Sequence, residues 1–260
     1  MGQKRGGEAV TSVNQGSVAF VTGAASGIGR ATAEAFLRRG YAVALVDINE
    51  REGRDAEAQL SALGRCAFIA CDVADDESVR RAVERTVQTY GRLDAAFNAA
   101  GIEGEHGRAT AEGSLENWRK VLSADLDGVW YCMRHQIPQM LTTGGGAIVN
   151  CSSTAGLLGA PMFSAYVAAK HGVMGLTRAA ALDYASKGIR INAICPAMID
   201  TPMMRNGITP ELREQLVKAT PIARLGQPSE IASAVVWLCE ESAGFVVGQA
   251  IVVDGGYSVA

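Results

Sequence analysis

Short apolar runs alternate along the chain with longer segments in which apolar residues recur at helical spacing. The short runs are typical of buried parallel strands and lie at residues 18–21, 42–46, 66–70, 94–97, 147–151, 189–194 and 250–253. Helical spacing predicts one helix that begins near residue 29 and ends at Arg39, and others at residues 75–90, 114–141, 164–186, 211–219 and 229–241. Repeated strand–helix units imply an α/β fold, a doubly wound parallel sheet with helices on both faces.

Length, composition and charge fit one folded unit. The 260 residues are 48% hydrophobic, which suffices for one large core, so we expect a single domain at residues 17–260. Residues 1–16 are polar and rich in glycine, lack the apolar core of a signal peptide, and predict a flexible tail. The net charge is −3 and no basic block occurs, so nucleic acid is not an expected partner.

Membrane, disulfide and metal classes are also disfavoured. Residues 141–169 carry no charge, but glycines, polar residues and Pro161 interrupt them, so no spanning helix is expected. The six cysteines are scattered without a Cys-x-x-Cys pair, which favours reduced thiols and a cytoplasmic location. No metal site is expected, because ligand-like spacing is absent among the three histidines, His106, His135 and His171.

The first predicted strand leads into a glycine-rich turn, Thr22-Gly-Ala-Ala-Ser-Gly-Ile-Gly29, and then into a helix. That order is the one a dinucleotide site requires. Gly23 permits the tight turn, while Gly27 and Gly29 would let the backbone approach a pyrophosphate at the positive end of the helix. An ordinary glycine turn is the alternative, because a glycine pattern alone is weak evidence.

Asp47 ends the second predicted strand, 18 positions beyond Gly29. A carboxylate about 20 residues after the glycines is placed to bind the adenosine ribose hydroxyl, and it would repel a 2′-phosphate. Ile48 follows it, and the glycine turn contains no Arg or Lys. The pattern therefore favours NAD over NADP. We expect the nearby cation, Arg51, to face solvent on the next helix.

Tyr166 and Lys170 lie four residues apart in a predicted helix, which puts them on one face. A unit charge about 4 Å away is worth roughly 4 kcal/mol at an effective dielectric of about 20. One pKa unit is about 1.4 kcal/mol, so Lys170 could bring the Tyr166 phenol near neutral pH, where a general acid or base works well. A surface lysine beside a core tyrosine is the alternative from spacing alone.

Further polar motifs follow the ends of other strands, where ligands bind in such sheets. Together the motifs resemble the short-chain dehydrogenase/reductase family from about Ser17 to the C-terminus. The resemblance rests on Thr22-Gly-x-x-x-Gly-Ile-Gly29, Cys71-Asp-Val73, Asn98-Ala-Ala-Gly101, Ser153 with Tyr166-x-x-x-Lys170, Pro196-x-x-x-x-Thr201 and Asp254-Gly-Gly256. It implies a Rossmann-type fold and an NAD-dependent oxidoreductase that transfers a hydride between a secondary alcohol or ketone and the nicotinamide.

The resemblance also implies roles for individual residues. Tyr166 would exchange a proton with the substrate oxygen, Lys170 would lower its pKa and hold the nicotinamide ribose, and Ser153 would hold the substrate oxygen. Asp72 and Val73 would contact adenine, and Asn98 and Gly101 would stabilise the sheet edge and the cofactor wall. The backbone at Ile199 and Thr201 would hold the carboxamide. The full set of implied cofactor residues is Gly23, Ser26, Gly27, Ile28, Gly29, Asp47, Ile48, Asp72, Val73, Asn98, Ala99, Gly101, Tyr166, Lys170, Pro196, Ile199 and Thr201.

Asp125 departs from the family pattern, which usually has Asn at this position. The family residue acts through its backbone carbonyl, which helps to order a water leading to the catalytic lysine. Asp keeps the carbonyl and the shape but loses the amide donor, so we include Asp125 among the catalytic residues and expect activity. Two smaller departures, Ala99 for Asn and Ala197 for Gly, are expected to be tolerated.

The substrate region is less informative. Apolar residues before Tyr166 and after Pro196 favour an apolar or cyclic substrate if they face the site: Leu157, Leu158, Met162, Phe163, Met198, Met203, Met204, Ile208 and Leu212. His106 could border it. Three alternatives remain open: a non-catalytic NAD-binding sensor or scaffold, an NADPH-dependent 3-oxoacyl-carrier reductase, and a sugar-nucleotide epimerase.

We expect a homotetramer. The predicted helices at 114–141 and 164–186 carry more apolar surface than one face of a sheet needs, and family members usually pair these helices between subunits.

Overall fold

Seven parallel strands pair into one sheet in the computed structural model, which describes residues 16–207 and 209–260. The predicted N-terminal tail (residues 1–15 of it) and Ile208 lie outside the described residues. The strands are β1 Val18–Thr22, β2 Ala42–Asp47, β3 Cys66–Ala70, β4 Ala95–Asn98, β5 Gly146–Cys151, β6 Ile189–Pro196 and β7 Ala250–Val253. Their order in the sheet is β3-β2-β1-β4-β5-β6-β7, which confirms the predicted α/β fold.

Helices cover both faces of the sheet, as predicted. They are α1 Gly27–Arg38, α2 Glu50–Leu60, α3 Asp76–Tyr90, α4 Leu115–Leu122, α5 Gly128–Thr142, α6 Ser164–Tyr184, α7 Pro202–Gly207, α8 Pro210–Ala219 and α9 Pro228–Cys239. Phe36 of α1 and Ile231 of α9 pack on one face, while Val79 of α3, Met133 of α5 and Val173 of α6 pack on the other. Because both faces are covered, the central strands read as continuous apolar runs.

The predicted long helix at residues 114–141 is wrong in one respect. The structure divides it into α4 and α5 by a π-helical turn at Ser123–Asp127. Such a turn inserts residues into a helix without ending it, so the apolar periodicity on either side gives no sign of it. Its consequence is local, because Asp125 points inward from this turn with no solvent exposure.

The strand order reverses between β1 and β4, which are neighbours in the sheet but not in the chain. The connections that follow these two strands run to opposite faces and open a crevice at the carboxyl edge. Arg51 is exposed on α2, as predicted. None of the helices in the described part of the chain is long and apolar enough to cross a membrane.

Candidate active site

A cavity of about 590 Å³ lies at the carboxyl edge of the sheet, within the size range of small-molecule sites. It extends from the glycine turn after β1 to the N-terminal part of α6. All but one of the predicted site residues line it: Gly23, Ser26, Gly27, Ile28, Gly29, Asp47, Ile48, Asp72, Val73, Ala99, Gly101, Asp125, Ser153, Tyr166, Lys170, Pro196, Ile199 and Thr201.

The glycine turn meets its predicted backbone requirements, but Gly29 does so for a different reason. Gly23 and Gly27 adopt φ values of +68° and +53°, which side-chain-bearing residues rarely take. A Cβ on Gly29 would lie 2.1 Å from the Gly23 carbonyl oxygen. Glycine is therefore required at position 29 because the helix packs closely against the turn. This packing in turn shapes the cavity.

Asp47 fixes the next segment of the cavity wall. Its Oδ2 accepts a hydrogen bond from the Ala25 N–H at 3.0 Å, and its Oδ1 accepts one from the Asn49 N–H at 3.0 Å. The carboxylate thus ties the glycine turn to the end of β2. Asp47 also lines the cavity, next to Ile48.

Asn98 is the one predicted site residue that does not line the cavity. Its side chain is buried in the sheet interior, where it donates to Asn150 Oδ1 at 2.9 Å and accepts from Gln136 Nε2 at 2.8 Å. It joins β4 to β5 and α5, which fits a stabilising role in the sheet and not a direct cofactor contact. Sequence reasoning missed Thr22, whose hydroxyl accepts the Ala99 and Ala100 N–H groups and so positions the wall after β4.

Two adjacent serines after β5 have different partners. The Ser152 hydroxyl is buried and donates to the Lys170 carbonyl oxygen at 3.0 Å, so it anchors α6. The Ser153 hydroxyl lines the cavity, accepts the Ala155 N–H at 3.1 Å and donates to the Pro196 carbonyl oxygen at 3.5 Å. It also lowers the pKa of Tyr166, as the smallest of the effects on that phenol. Ser153 is therefore the serine that a substrate oxygen beside Tyr166 can reach.

Lys170 lies beside Tyr166 and is held by groups from three elements. Its Nζ is 5.3 Å from the centroid of the Tyr166 ring, which agrees with the predicted shared helix face. The ammonium donates to the Cys151 carbonyl oxygen at 3.2 Å and lies 3.0 Å from Asp125 Oδ2. Lys170 and Asp125 are both buried, so the ion pair is shielded from solvent.

The structure contradicts the prediction that Lys170 brings the Tyr166 phenol near neutral pH. Burial is the largest effect and raises the pKa of Tyr166 to about 12; Lys170 lowers it, and Asp125 raises it again. Burial lowers the pKa of Lys170, but the charge of Asp125 opposes burial and holds that pKa above its usual value. The prediction counted one charge and neglected both desolvation and the carboxylate behind the lysine.

Two aromatic rings stack outward from Tyr166, and two methionines line the cavity. The Phe163 ring stacks on Tyr166 with centroids 4.6 Å apart, and the His106 ring stacks on Phe163 at 4.8 Å, so His106 lies next to the predicted substrate region. Met203 and Met204 line the cavity, whereas Met198 lines a separate small pocket. Leu157 packs into the core, and Leu158, Met162 and Leu212 are exposed.

The cavity fits an elongated dinucleotide whose phosphates lie at the glycine turn. The Gly27 position leaves room for a close approach, since the nearest atom to an added Cβ is the Thr201 side chain at 3.4 Å. Among the described lining residues, the cations are Lys120 and Lys170, and neither belongs to the Asp47 segment. The lining residues thus fit a nicotinamide dinucleotide.

Comparison with known proteins decides the family. The family described as Enoyl-(Acyl carrier protein) reductase matches residues 23–258, which is most of the chain. The chain belongs to the short-chain dehydrogenase/reductase family. It is therefore an oxidoreductase that uses a nicotinamide cofactor, as the resemblance of its motifs implied.

Two relatives and one solved structure illustrate the match. The chain is 47% identical over 243 residues to the cyclohexanol dehydrogenase of Acinetobacter sp. (strain SE19), covering 93% of this chain and 94% of the relative. It is 42% identical to the 2,5-dichloro-2,5-cyclohexadiene-1,4-diol dehydrogenase of Sphingobium indicum over 94% of this chain and 97% of the relative. A 3-oxoacyl-[acyl-carrier protein] reductase with bound NAD from Brucella melitensis has a TM-score of 0.88 and 35% identity, covering 96% of this chain and 94% of that one.

Proposed function

We propose that this short-chain dehydrogenase/reductase oxidises a secondary alcohol on an apolar ring to the ketone, and catalyses the reverse reaction, with NAD as cofactor. The observation that carries the proposal is the arrangement of Ser153, Tyr166 and Lys170 in one cavity beside an apolar wall. The two relatives are named as dehydrogenases of hydroxylated six-membered rings, which supports a substrate of that class.

The chain's own residues handle the substrate oxygen and its proton. Ser153 donates a hydrogen bond to that oxygen, and the Tyr166 phenolate accepts the alcohol proton during oxidation. A nicotinamide bound in this cavity would supply the hydride acceptor for the carbinol carbon, and in its oxidised form it would supply a positive charge. In ketone reduction the Tyr166 phenol returns its proton to the substrate oxygen.

NAD preference rests on Asp47. Its two hydrogen bonds to backbone N–H groups hold the carboxylate at the end of β2, where its charge opposes a 2′-phosphate. The Brucella melitensis reductase, whose structure has bound NAD, supports a preference for NAD. Fluorescence titration with both reduced cofactors tests it, and tighter binding of NADPH would contradict it.

Purified protein should be assayed with NAD and a panel of alcohols, read as NADH absorbance. Cyclohexanol and cyclohexanediols should be turned over faster than a primary alcohol of equal carbon number, because Met203 and Met204 line the cavity and favour an apolar ring. Tight NAD binding without turnover of any member would instead favour the non-catalytic sensor or scaffold.

The 3-oxoacyl-carrier reductase is the second candidate. The description of the matched family and that of the Brucella structure favour it. Asp47 disfavours NADPH, and the cations among the described lining residues are Lys120 and Lys170 alone, so the cavity offers no cluster of cations to an acyl carrier. Reduction of a 3-oxoacyl thioester with NADPH, faster than any ketone with NADH, would establish this alternative.

We also propose a homotetramer working in the cytoplasm. The six unpaired cysteines support a reducing compartment.

A tetramer with two kinds of two-fold interface needs two apolar surfaces. Exposed apolar side chains form one set on α4–α6 and another around α9 and the edge strand β7: Leu115, Trp118, Trp130 and Leu182; Trp237, Phe245, Val252 and Val259. A monomeric mass by light scattering at micromolar concentration would contradict the tetramer.

A further inference from the structure

Asp125 makes a direct contact with Lys170 that its family resemblance did not imply. The π-helical turn between α4 and α5 directs the carboxylate inward, where it has no solvent exposure. Its Oδ1 accepts the Ile102 N–H at 2.8 Å. Its Oδ2 lies 3.0 Å from Lys170 Nζ, so the carboxylate and the ammonium form a buried ion pair.

Gly101 gives the carboxylate the room to reach the lysine. A Cβ at this position would lie 2.8 Å from Asp125 Oδ2, closer than real side chains approach. The Gly101 backbone therefore has a specific task here, since any larger residue would displace Asp125 from Lys170. The contact is built from three separate segments: the wall after β4, the π-helical turn and α6.

The charges around the Tyr166 phenol come from few groups. On α6, Lys170 faces it as a cation, and from the π-helical turn Asp125 opposes that cation as an anion. The Cys151 thiol on β5 does not stabilise the Tyr166 phenolate. Glu103 in the wall after β4 interacts with Asp125, and its own partner is His106 at 3.3 Å.

We propose that Asp125 is a positioning residue that acts as the counter-ion of Lys170, weakens the lysine's pull on the Tyr166 proton, and so sets the pH at which alcohol oxidation begins. The proposal rests on the proposed function and deepens it, because it assigns the pH dependence of the same site. The directions of the pKa values agree: Asp125 raises the pKa of Tyr166 and raises that of Lys170.

The sign of the effect follows from the proton balance. Oxidation needs the phenolate of Tyr166, so its rate rises as pH passes through the apparent pKa of that group. Ketone reduction needs the phenol, so its rate falls over the same range. Removing the anion at position 125 favours the phenolate, and both transitions should therefore move to lower pH together.

Asp125→Asn is the decisive variant, because Asn keeps the oxygen that accepts the Ile102 N–H, has nearly the same shape, and replaces the charged Oδ2 by a neutral amide NH2. In the pH profile of cyclohexanol oxidation, the rising limb of the variant should lie about one pH unit below that of the wild type. At a pH below both limbs, the variant should therefore be roughly tenfold faster. The falling limb of cyclohexanone reduction should move down equally. A purely structural role would change the rates without moving both limbs in parallel.

Asp76→Asn is the matched control. Asp76 begins α3 and pairs with Arg134 and His135 outside the cavity, so this variant loses the same charge at a site remote from Tyr166. Its limbs should coincide with those of the wild type. Unmoved limbs in Asp125→Asn, or limbs at higher pH, would overturn the proposal.

A measurement on the wild type covers the case in which the Asn variant does not fold, as judged by its melting temperature and NADH binding. The near-ultraviolet absorbance of tyrosinate, taken as the difference between wild type and Tyr166→Phe, follows the ionisation of Tyr166 alone. Without cofactor it should ionise above the usual tyrosine range, and in Gly101→Ala, whose Cβ would displace Asp125 from Lys170, it should ionise at lower pH than in the wild type. An equal or higher ionisation pH in Gly101→Ala would overturn the proposal. This titration needs no substrate, so absence of all alcohol turnover would reject the proposed function and leave the titration to decide on Asp125.

Discussion

The two ends of the cavity are built on different physical grounds. At the cofactor end, backbone conformation and short-range hydrogen bonds do the positioning, as in the Gly23–Gly29 contact and the two N–H groups held by Asp47. At the catalytic end, a buried lysine, a buried carboxylate and a phenol from different elements balance one another. Changes at the first end should therefore affect binding, and changes at the second should affect proton transfer.

Tyr166→Phe should have the largest effect and separate the two ends most clearly. It removes the proton-transfer group, and general acid–base groups contribute typically 100- to 10,000-fold, so kcat for alcohol oxidation should fall by about that factor. The dissociation constant for NADH, measured by fluorescence, should stay within about threefold of the wild-type value. A variant that keeps most of its activity would remove Tyr166 from the catalytic role.

Gly29→Ala should do the opposite at the cofactor end. The new methyl group would lie 2.1 Å from the Gly23 carbonyl oxygen, and the backbone of the turn would have to shift. Overpacking of this kind costs about 1–3 kcal/mol, so the melting temperature should fall together with the affinity for NADH.

Gly159→Ala is the control for that prediction. A Cβ on Gly159 meets no atom within 4 Å, so its melting temperature and NADH affinity should match those of the wild type. If Gly29→Ala also bound NADH normally, the close contact in the turn would not be what shapes the cofactor end.

Asp47→Ala should have a smaller effect on the choice of cofactor. Loss of its two hydrogen bonds to the backbone should weaken the binding of both cofactors alike, so the ratio between them isolates the effect of the charge. Loss of the carboxylate removes the repulsion of a 2′-phosphate, and the ratio of kcat/KM for NAD to that for NADP should fall by about tenfold, or roughly 1.4 kcal/mol. Asp55→Ala removes the same charge from the exposed surface of α2 and should leave the ratio unchanged. An unaltered ratio in Asp47→Ala would show that another group selects the cofactor.

The cofactor end could be predicted from the sequence because its determinants are local. Apolar runs fixed the strands, and Gly23, Gly27 and Asp47 follow strand ends at spacings that leave them at the carboxyl edge of the sheet. Even there, the contact of Gly29 with Gly23 could not be foreseen, because it depends on how closely the helix packs on the turn.

The catalytic end could be predicted only in part. The four-residue spacing placed Lys170 beside Tyr166, but the phenol pKa depends on burial and on Asp125, which is more than 40 positions earlier in the chain. The π-helical turn that aims Asp125 inward leaves no mark on the apolar periodicity of α4 and α5. For Asn98, the motif implied a role in stabilising the sheet edge, and the pairing of its side chain with Asn150 and Gln136 agrees with that role.

Hydride transfer from a ring alcohol is the central claim, and an isotope label tests it most directly. The wild-type enzyme should be incubated with NAD and cyclohexanol that carries deuterium only on the carbinol carbon. The account predicts that the deuterium is recovered in the reduced nicotinamide and none in the solvent, at a rate that rises with pH. Deuterium released to water, or no reduced cofactor with this or any other secondary alcohol, would contradict it.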